Sequence, residues 1–275
     1  MWGVNILFCS FKKALILVIL SLFIATCSDS NDPVKEETRG WSVQQLYASA
    51  STALAKKNYD RAIKLYSALE STYPYGVYAQ QGLLDIAYAY YQNNQPELAL
   101  PMIEEFIKTY PTNTNMDYAF YLKGYINYKN DNGLLSSFTG QDLAERDPKG
   151  AEEAFAAFTQ LVNNYPNSRF TPDAKDKINR LVNALARSEL YKARFYMSIN
   201  AYLGAIGRSQ NLITKYPNTQ QVEEALAIQI TAYKKLGKDT LSNSVQKVLV
   251  LNFPQSDYIN HEWVDNDIPW YAFWR

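Results

Sequence analysis

Five aromatic–proline pairs divide this chain into segments and constrain its fold more than any other feature. They are Tyr73-Pro74, Tyr110-Pro111, Tyr165-Pro166, Tyr216-Pro217 and Phe253-Pro254. Each pair closes an amphipathic segment such as "PELALPMIEEFIKTYP", in which apolar residues recur at intervals of three and four, as expected of a helix. Proline lacks an N–H and disfavours helical geometry in the residue before it, so each pair predicts the end of a helix.

Positions counted back from each proline carry the same kind of residue. A small side chain stands twelve positions earlier each time: Ala62, Ala99, Ala154, Ala205 and Ser242. A large apolar one stands five positions earlier: Leu69, Phe106, Leu161, Leu212 and Leu249. Small residues where paired helices touch and larger ones in the seam are typical of tetratricopeptide repeats. We therefore predict an all-α fold, a superhelical array of about five tetratricopeptide helix pairs.

The third repeat departs from this spacing. Gly124 suits the small position of the first helix in this repeat. It lies farther from Pro166 than the register requires, because the segment "DNGLLSSFTGQDLAERDPKG" separates the two helices. This segment is polar and glycine-rich, which predicts an insertion loop at residues 131–150. Loops of this length inside a compact domain are often functional.

The N-terminus is predicted to be a lipoprotein signal. Two lysines precede a short apolar run that ends in "IATC" at Cys27, and a hydrophilic stretch begins with Ser28. This ending resembles the bacterial lipobox, and the resemblance implies cleavage before Cys27, which would then carry N-palmitoyl and S-diacylglycerol groups. By the sorting rule of such lipoproteins, Ser28 in place of aspartate directly after the cysteine implies an anchor in the outer membrane of a Gram-negative cell, facing the periplasm. The alternative is an uncleaved membrane anchor with an incidental cysteine.

The predicted organisation follows from these features. Residues 1–26 form the signal peptide and 27–40 a lipidated, flexible tether. The two repeat halves span 41–130 and 151–258 around the 131–150 insertion, and an aromatic tail occupies 259–275.

Composition argues against several classes of function. The chain has one histidine, His261, and its two cysteines are Cys9 and Cys27. One histidine cannot form a histidine-rich metal site, and it makes a histidine-dependent catalytic triad improbable. Removing the signal leaves 25 basic and 27 acidic residues, a formal charge of −2, which does not favour nucleic acid. We therefore expect a binding protein with no catalytic residues, metal or cofactor.

The repeat count, the lipoprotein signal, the loop in the third repeat, and the stretches "ERDPKGAEEAF" and "LVNNYPNSRF" together resemble the BamD family of outer-membrane assembly lipoproteins. The resemblance covers about residues 41 to 258. It implies a non-catalytic scaffold of the β-barrel assembly (BAM) machinery. The implied partners are BamA, which meets the C-terminal repeats, other BAM lipoproteins, and unfolded barrel proteins, whose targeting signals meet the N-terminal repeats. The family's BamA-binding arginine falls on Arg208; a solvated helix charge is the alternative.

The first helix of each repeat is expected to line a concave groove. The groove candidates are Tyr47, Leu84, Tyr88, Tyr91, Tyr118, Tyr121, Tyr125 and Tyr128. The last four form one helical stripe at spacings of 3, 4 and 3. Tyrosine offers apolar area, few rotors and a hydroxyl, all of which suit recognition of an extended peptide. These tyrosines are alternatively half-buried packing residues.

Two other functions remain open at this point. One is a periplasmic repeat scaffold that coordinates cell-envelope or peptidoglycan assembly, although the coiled coil expected there is missing. The other is a lipid-anchored envelope enzyme, which the shortage of histidine and the absence of a nucleophile motif disfavour.

Overall fold

The computed structural model describes residues 33–130 and 148–264, and all regular secondary structure in these two ranges is helical. Cys27, most of the 131–150 insertion and residues 265–275 lie outside the described residues. The chain forms two compact units that divide at Gly82 and Leu83. None of the helices in the described ranges is both long and apolar enough to cross a membrane.

The first unit contains α1 (Pro33–Glu37), α2 (Val43–Ala55), α3 (Tyr59–Thr72) and the start of α4 (Val77–Gln92). A capping box between Ser42 and Gln45 begins α2, because each residue's side chain accepts from the other's backbone N–H. Helices α2 and α3 pack together, and α1 lies against α3. The Tyr73 hydroxyl donates to the Trp41 carbonyl at 2.8 Å, which ties the segment before α2 to the end of α3.

The second unit contains the rest of α4 and eight further elements. These are α5 (Pro96–Thr109), α6 (Met116–Asn130), α7 (Lys149–Asn164), α8 (Thr171–Ser198), α9 (Tyr202–Lys215), α10 (Gln221–Lys235), α11 (Asp239–Asn252) and a 3-10 turn, Asp257–Ile259. From α5 to α11 each helix packs on the next, and α8 also contacts α10. At 28 residues α8 is about twice as long as α9, which has 14.

The aromatic–proline pairs end helices, as predicted. Helices α3, α5, α7, α9 and α11 each stop one residue before the aromatic residue, which takes the C-cap position. Its N–H still donates to the carbonyl four residues earlier at 2.8–2.9 Å. Its own φ of −125 to −133° and ψ of 52–71° are not helical, and the proline follows. The repeated corner therefore comes from one local conformation used five times.

The repeat register predicts the packing positions. The small residues twelve positions before each proline are at most 1% exposed, as are the large ones five positions before it. In the third repeat Gly124 also lies where predicted, since a Cβ built on it would meet the Phe158 ring at 2.7 Å. The all-α tetratricopeptide fold is thereby confirmed for the described residues.

A left-handed residue inside each of four repeats is a feature that the sequence analysis missed. Lys57, Asn94 and Asn200 have φ of 58–59° and Gly237 has φ of 65°, and each lies 17 positions before its proline. This residue reverses the chain between the two helices of a repeat. In the third repeat the same position is Lys149, the first residue of α7, because the insertion replaces the tight turn.

The segment after α11 returns to the helical core. Trp263 is 7% exposed, and its indole Nε1 donates to Glu224 Oε1 on α10 at 3.0 Å. The same carboxylate accepts two hydrogen bonds from Arg194 on α8, at 2.6 and 2.7 Å. The beginning of the aromatic tail is therefore part of the fold.

Candidate peptide-binding and partner-binding sites

The second unit brings together five of the predicted groove tyrosines. Tyr91 lies near the end of α4, and the other four follow one face of α6. We call this set the tyrosine cluster: Tyr91, Tyr118, Tyr121, Tyr125 and Tyr128. The Tyr91 and Tyr125 rings meet edge to face at 6.0 Å between centroids, which joins the two helices in one aromatic surface.

Residues at the start of α8 pack against this cluster. The Tyr121 ring stacks on Phe170 at 4.6 Å, and Tyr118 meets the same phenylalanine at 5.6 Å. On the other side, Tyr121 and Tyr128 contact the fully buried Phe158 of α7, at 6.1 and 6.4 Å. The tyrosines are each half-buried, so they contribute to packing and also present part of their surface to solvent.

An ion pair lies across the tyrosine rings. Lys177 Nζ lies 5.7 Å from the Tyr125 centroid and 5.6 Å from that of Tyr128, close enough for cation–π attraction. It also contacts Asp173 Oδ1 at 2.6 Å, and its side chain is only 13% exposed. The Tyr121 hydroxyl donates to Asp173 Oδ2 at 2.8 Å. Asp173 therefore accepts hydrogen bonds from both Lys177 and Tyr121.

The pKa directions agree with this geometry. Burial raises the pKa of Tyr121 well above its usual range, and the hydrogen bond to Asp173 adds to the effect. Burial alone would raise the pKa of Asp173, but the hydrogen bonds from Lys177 and Tyr121 outweigh it and hold that pKa below its usual value. Tyr121 is therefore a neutral hydrogen-bond donor and Asp173 a carboxylate at neutral pH.

The remaining groove candidates differ in exposure. Tyr88 is half-buried on α4. Leu84 has no exposed surface and is therefore a core residue. Tyr47 belongs to the first unit, where its ring contacts Tyr66 at 6.0 Å and Tyr78 at 5.2 Å.

Phe170, Asp173 and Lys177 were not among the predicted site residues. They lie in the first turns of α8, a segment that the repeat register leaves unassigned. Their spacing of 3 and 4 shows that they share a helix face. That pattern was the available signal, but nothing in it indicates that the face meets α6.

Arg208, the predicted partner-binding residue, lies on α9 beside Glu189 of α8. Its Nη1 is 3.5 Å from Glu189 Oε2, a weak contact, while Lys192 Nζ approaches the other oxygen to 2.8 Å. The Arg208 side chain is 38% exposed and that of Glu189 is 12% exposed. Lys192 is therefore the closer partner of Glu189, and Arg208 makes only a long contact with it.

These sites provide aromatic surface and charge. Over the described ranges, no group of three or more His, Cys, Asp or Glu side chains is placed to hold a metal ion. His261 is exposed, with Nδ1 3.0 Å from the Asp257 carbonyl. The fold and the sites define a helical-repeat protein with aromatic and charged surfaces of the kind that bind other polypeptides.

The particular family follows from sequence comparison. A family model described as "Outer membrane lipoprotein", YfiO, matches residues 40–249. The chain belongs to this family.

Its curated relatives carry the name "Outer membrane protein assembly factor BamD". A protein from Neisseria meningitidis serogroup A is 43% identical over 96% of this chain and 100% of its own length. One from Vibrio cholerae is 36% identical over 86% of this chain and 96% of its own, and one from Xylella fastidiosa is 32% identical over 90% and 85%. The predicted resemblance to the BamD family is confirmed.

Among solved structures, a MamA protein covers 81% of this chain and 97% of its own, with 15% identity and a TM-score of 0.35. This likeness is too weak to support any conclusion.

Proposed function

We propose that this protein is a non-catalytic, lipid-anchored scaffold of the machinery that assembles β-barrel proteins in the Gram-negative outer membrane. The observation that carries the proposal is the near-complete match to relatives named outer membrane protein assembly factor BamD, one of which is 43% identical over 96% of the chain. The arrangement of half-buried tyrosines and an accessible arginine supports a role in binding other polypeptides.

The anchor is lipid on Cys27. Between Cys27 and Pro33, the start of α1, lie six residue steps, which span about 20 Å when fully extended. The first unit is therefore held near the periplasmic surface of the membrane.

The C-terminal repeats bind BamA, and Arg208 lies in that contact. A guanidinium pairs with a carboxylate through directional, charge-assisted hydrogen bonds. The existing contact with Glu189 is long, at 3.5 Å, and exchanging it for a partner's carboxylate therefore costs little.

The tyrosine cluster receives extended, aromatic-rich segments of unfolded barrel proteins. Its half-buried rings provide apolar contact area, and a tyrosine hydroxyl is able to hydrogen-bond the backbone groups of an extended strand. Because the rings are held by Phe158, Phe170 and Lys177, the surface is formed before a client arrives and loses little entropy on binding.

A pull-down with the tagged full-length protein from detergent-solubilised envelopes tests this function. We expect recovery of BamA, of the other BAM lipoproteins and of barrel proteins trapped during assembly. Recovery of peptidoglycan-synthesis proteins without BamA would favour a cell-envelope coordinating scaffold instead. Turnover of an envelope substrate by the purified protein would favour an enzyme.

A further inference from the structure

A cleft of about 270 Å³ lies where the end of α8, the start of α9 and the end of α10 meet the last described residues of the chain. Met197 and Thr231, which are both buried, form part of its wall. Tyr202, Trp263 and Val264 also line it. The cleft belongs to the second unit, shares no residue with the tyrosine cluster and is large enough for one aromatic side chain.

Apolar side chains at the edge of this cleft are exposed. Val264 is 66% exposed, and Ile199, whose two sequence neighbours line the cleft, is 53% exposed. Phe195 lies one helical turn before Ile199 on the same side of α8 and is 54% exposed. Single exposed apolar residues are ordinary, but three of them beside a cleft indicate a surface that another group covers.

The chain is fixed in place where it reaches the cleft. The indole of Trp263 donates to Glu224 at 3.0 Å, and the residue is only 7% exposed. Glu262 forms an ion pair with Lys235 of α10 at 3.7 Å. Residues 265–275 therefore start from a fixed point beside the exposed apolar surface.

The sequence after Val264 suits such a surface. It reads "DNDIPWYAFWR", in which four of the eleven residues are aromatic: Trp270, Tyr271, Phe273 and Trp274. The stretch begins with Asp, Asn and Asp, which favour turns, and a turn there returns the chain toward the cleft. Six residue steps separate Val264 from Trp270, so the first aromatic residue stays within about 20 Å of the cleft.

We propose that residues 268–274 dock on this surface, with Trp270 in the cleft and the following aromatic residues over Ile199 and Phe195. A tryptophan ring there packs against Met197 and Tyr202 and removes apolar area from water. The segment of the same chain is the occupant because its attachment at Val264 gives it a high effective concentration at the cleft. The inference goes beyond the proposed function, which assigns no role to residues 265–275.

Hydrogen exchange of the purified full-length protein, followed by mass spectrometry, tests the docking. Amides of residues 270–274 should exchange at least roughly tenfold more slowly than those of the free peptide Ile-Pro-Trp-Tyr-Ala-Phe-Trp. The double variant Phe195→Ser with Ile199→Ser should bring this exchange to the rate of the free peptide. Both side chains are about half exposed, so the helices should keep their circular dichroism.

Truncation after Val264 provides the reverse measurement, because it removes the segment and keeps both apolar residues. Amides near residues 195–200 should then exchange faster than in the full-length protein, whereas those of α2 and α3 should not change.

The matched control is Val248→Ser with Leu251→Ser, which replaces two exposed apolar residues of α11. It should leave the exchange of residues 270–274 slow. Free-peptide exchange of these residues in the wild type, or their release by the α11 variant instead, would overturn the proposal. So would a dimer in sedimentation that becomes a monomer on truncation, because the segment would then dock on a second copy. The purified protein contains no BamA or client, so failure here leaves the proposed function standing.

Discussion

The partial exposure of Arg208 limits how much binding free energy is lost when its side chain is removed. Removing one partner of a buried charge pair typically costs about 2–5 kcal/mol. Arg208 is 38% exposed, so we expect the lower end of that range.

Arg208→Ala should therefore weaken capture of BamA by roughly thirtyfold, since 1.4 kcal/mol corresponds to a factor of ten. Helical content should be unchanged, because Lys192 continues to pair with Glu189. Surface-immobilised variants titrated with purified BamA measure the effect, and Arg180→Ala is the control. Capture by Arg208→Ala that equals that of the control would remove Arg208 from the interface.

The ionisation of Asp173 should make the folding stability depend on pH. Its pKa is lower in the folded protein than in the unfolded chain, so its contribution to stability is fully present above about pH 4 and is lost as the pH falls through the folded pKa. Asp173→Asn should lower stability at pH 7 and leave it closer to the wild type at pH 3. Urea unfolding at both pH values tests this. An equal difference at pH 7 and pH 3 would show that the carboxylate charge is not the cause.

At the scale of secondary-structure elements, the contact between α6 and α7 depends on Gly124. A methyl group there would lie 2.7 Å from the Phe158 ring, so Gly124→Ala must separate the two helices or displace a fully buried side chain. Overpacking of this kind typically costs about 1–3 kcal/mol.

Gly207→Ala in α9 is the matched control, because a Cβ there meets nothing within 4 Å. It should stabilise the protein by about 0.5–1 kcal/mol, since alanine favours the helix. Thermal unfolding of the two variants should therefore move in opposite directions. Stabilisation by both substitutions would contradict the close contact at Gly124.

The surface formed by α4 and α6 leads to a prediction about clients. Tyr91→Ala combined with Tyr121→Ala should reduce crosslinking to a C-terminal barrel peptide more than tenfold, since aromatic hot spots often cost about 2 kcal/mol each. BamA capture should change little, because repeats contact mainly their neighbours.

Tyr121 also stacks on Phe170, so the double variant needs a check for lost packing. Tyr121→Phe keeps the ring and removes only the hydrogen bond to Asp173, and it should retain most peptide crosslinking. A double variant that unfolds earlier and loses BamA as well would identify the tyrosines as packing residues. Full peptide capture by a stable double variant would place the client site elsewhere.

For the whole molecule, the decisive question is how the folded units are held at the membrane. Cys27→Ser should abolish labelling by a fatty-acid analogue and release the protein from the outer-membrane fraction, because it removes the proposed site of acylation. Bacterial lipoproteins carry several acyl chains, whereas one myristoyl chain binds only marginally. Fractionation of the variant with the outer membrane, as for the wild type, would show that another element anchors the protein.

The sequence by itself determined the repeat and its packing positions. Proline and small residues act through local steric effects. The packing roles of Gly124 and Ala205 can therefore be inferred from their positions relative to the prolines. The same reasoning reached the family, because the lipoprotein signal and the repeat count can both be read along one chain.

Only the tertiary structure decided which faces meet. Phe170, Asp173 and Lys177 contact the tyrosines of α6 because the 28-residue α8 is two turns or more longer than an ordinary repeat helix and begins beside them. Arg194, Glu224 and Trp263 join three separate segments through hydrogen bonds. Such contacts depend on which faces of separate helices come together in the fold, and the residue types of one segment do not encode that.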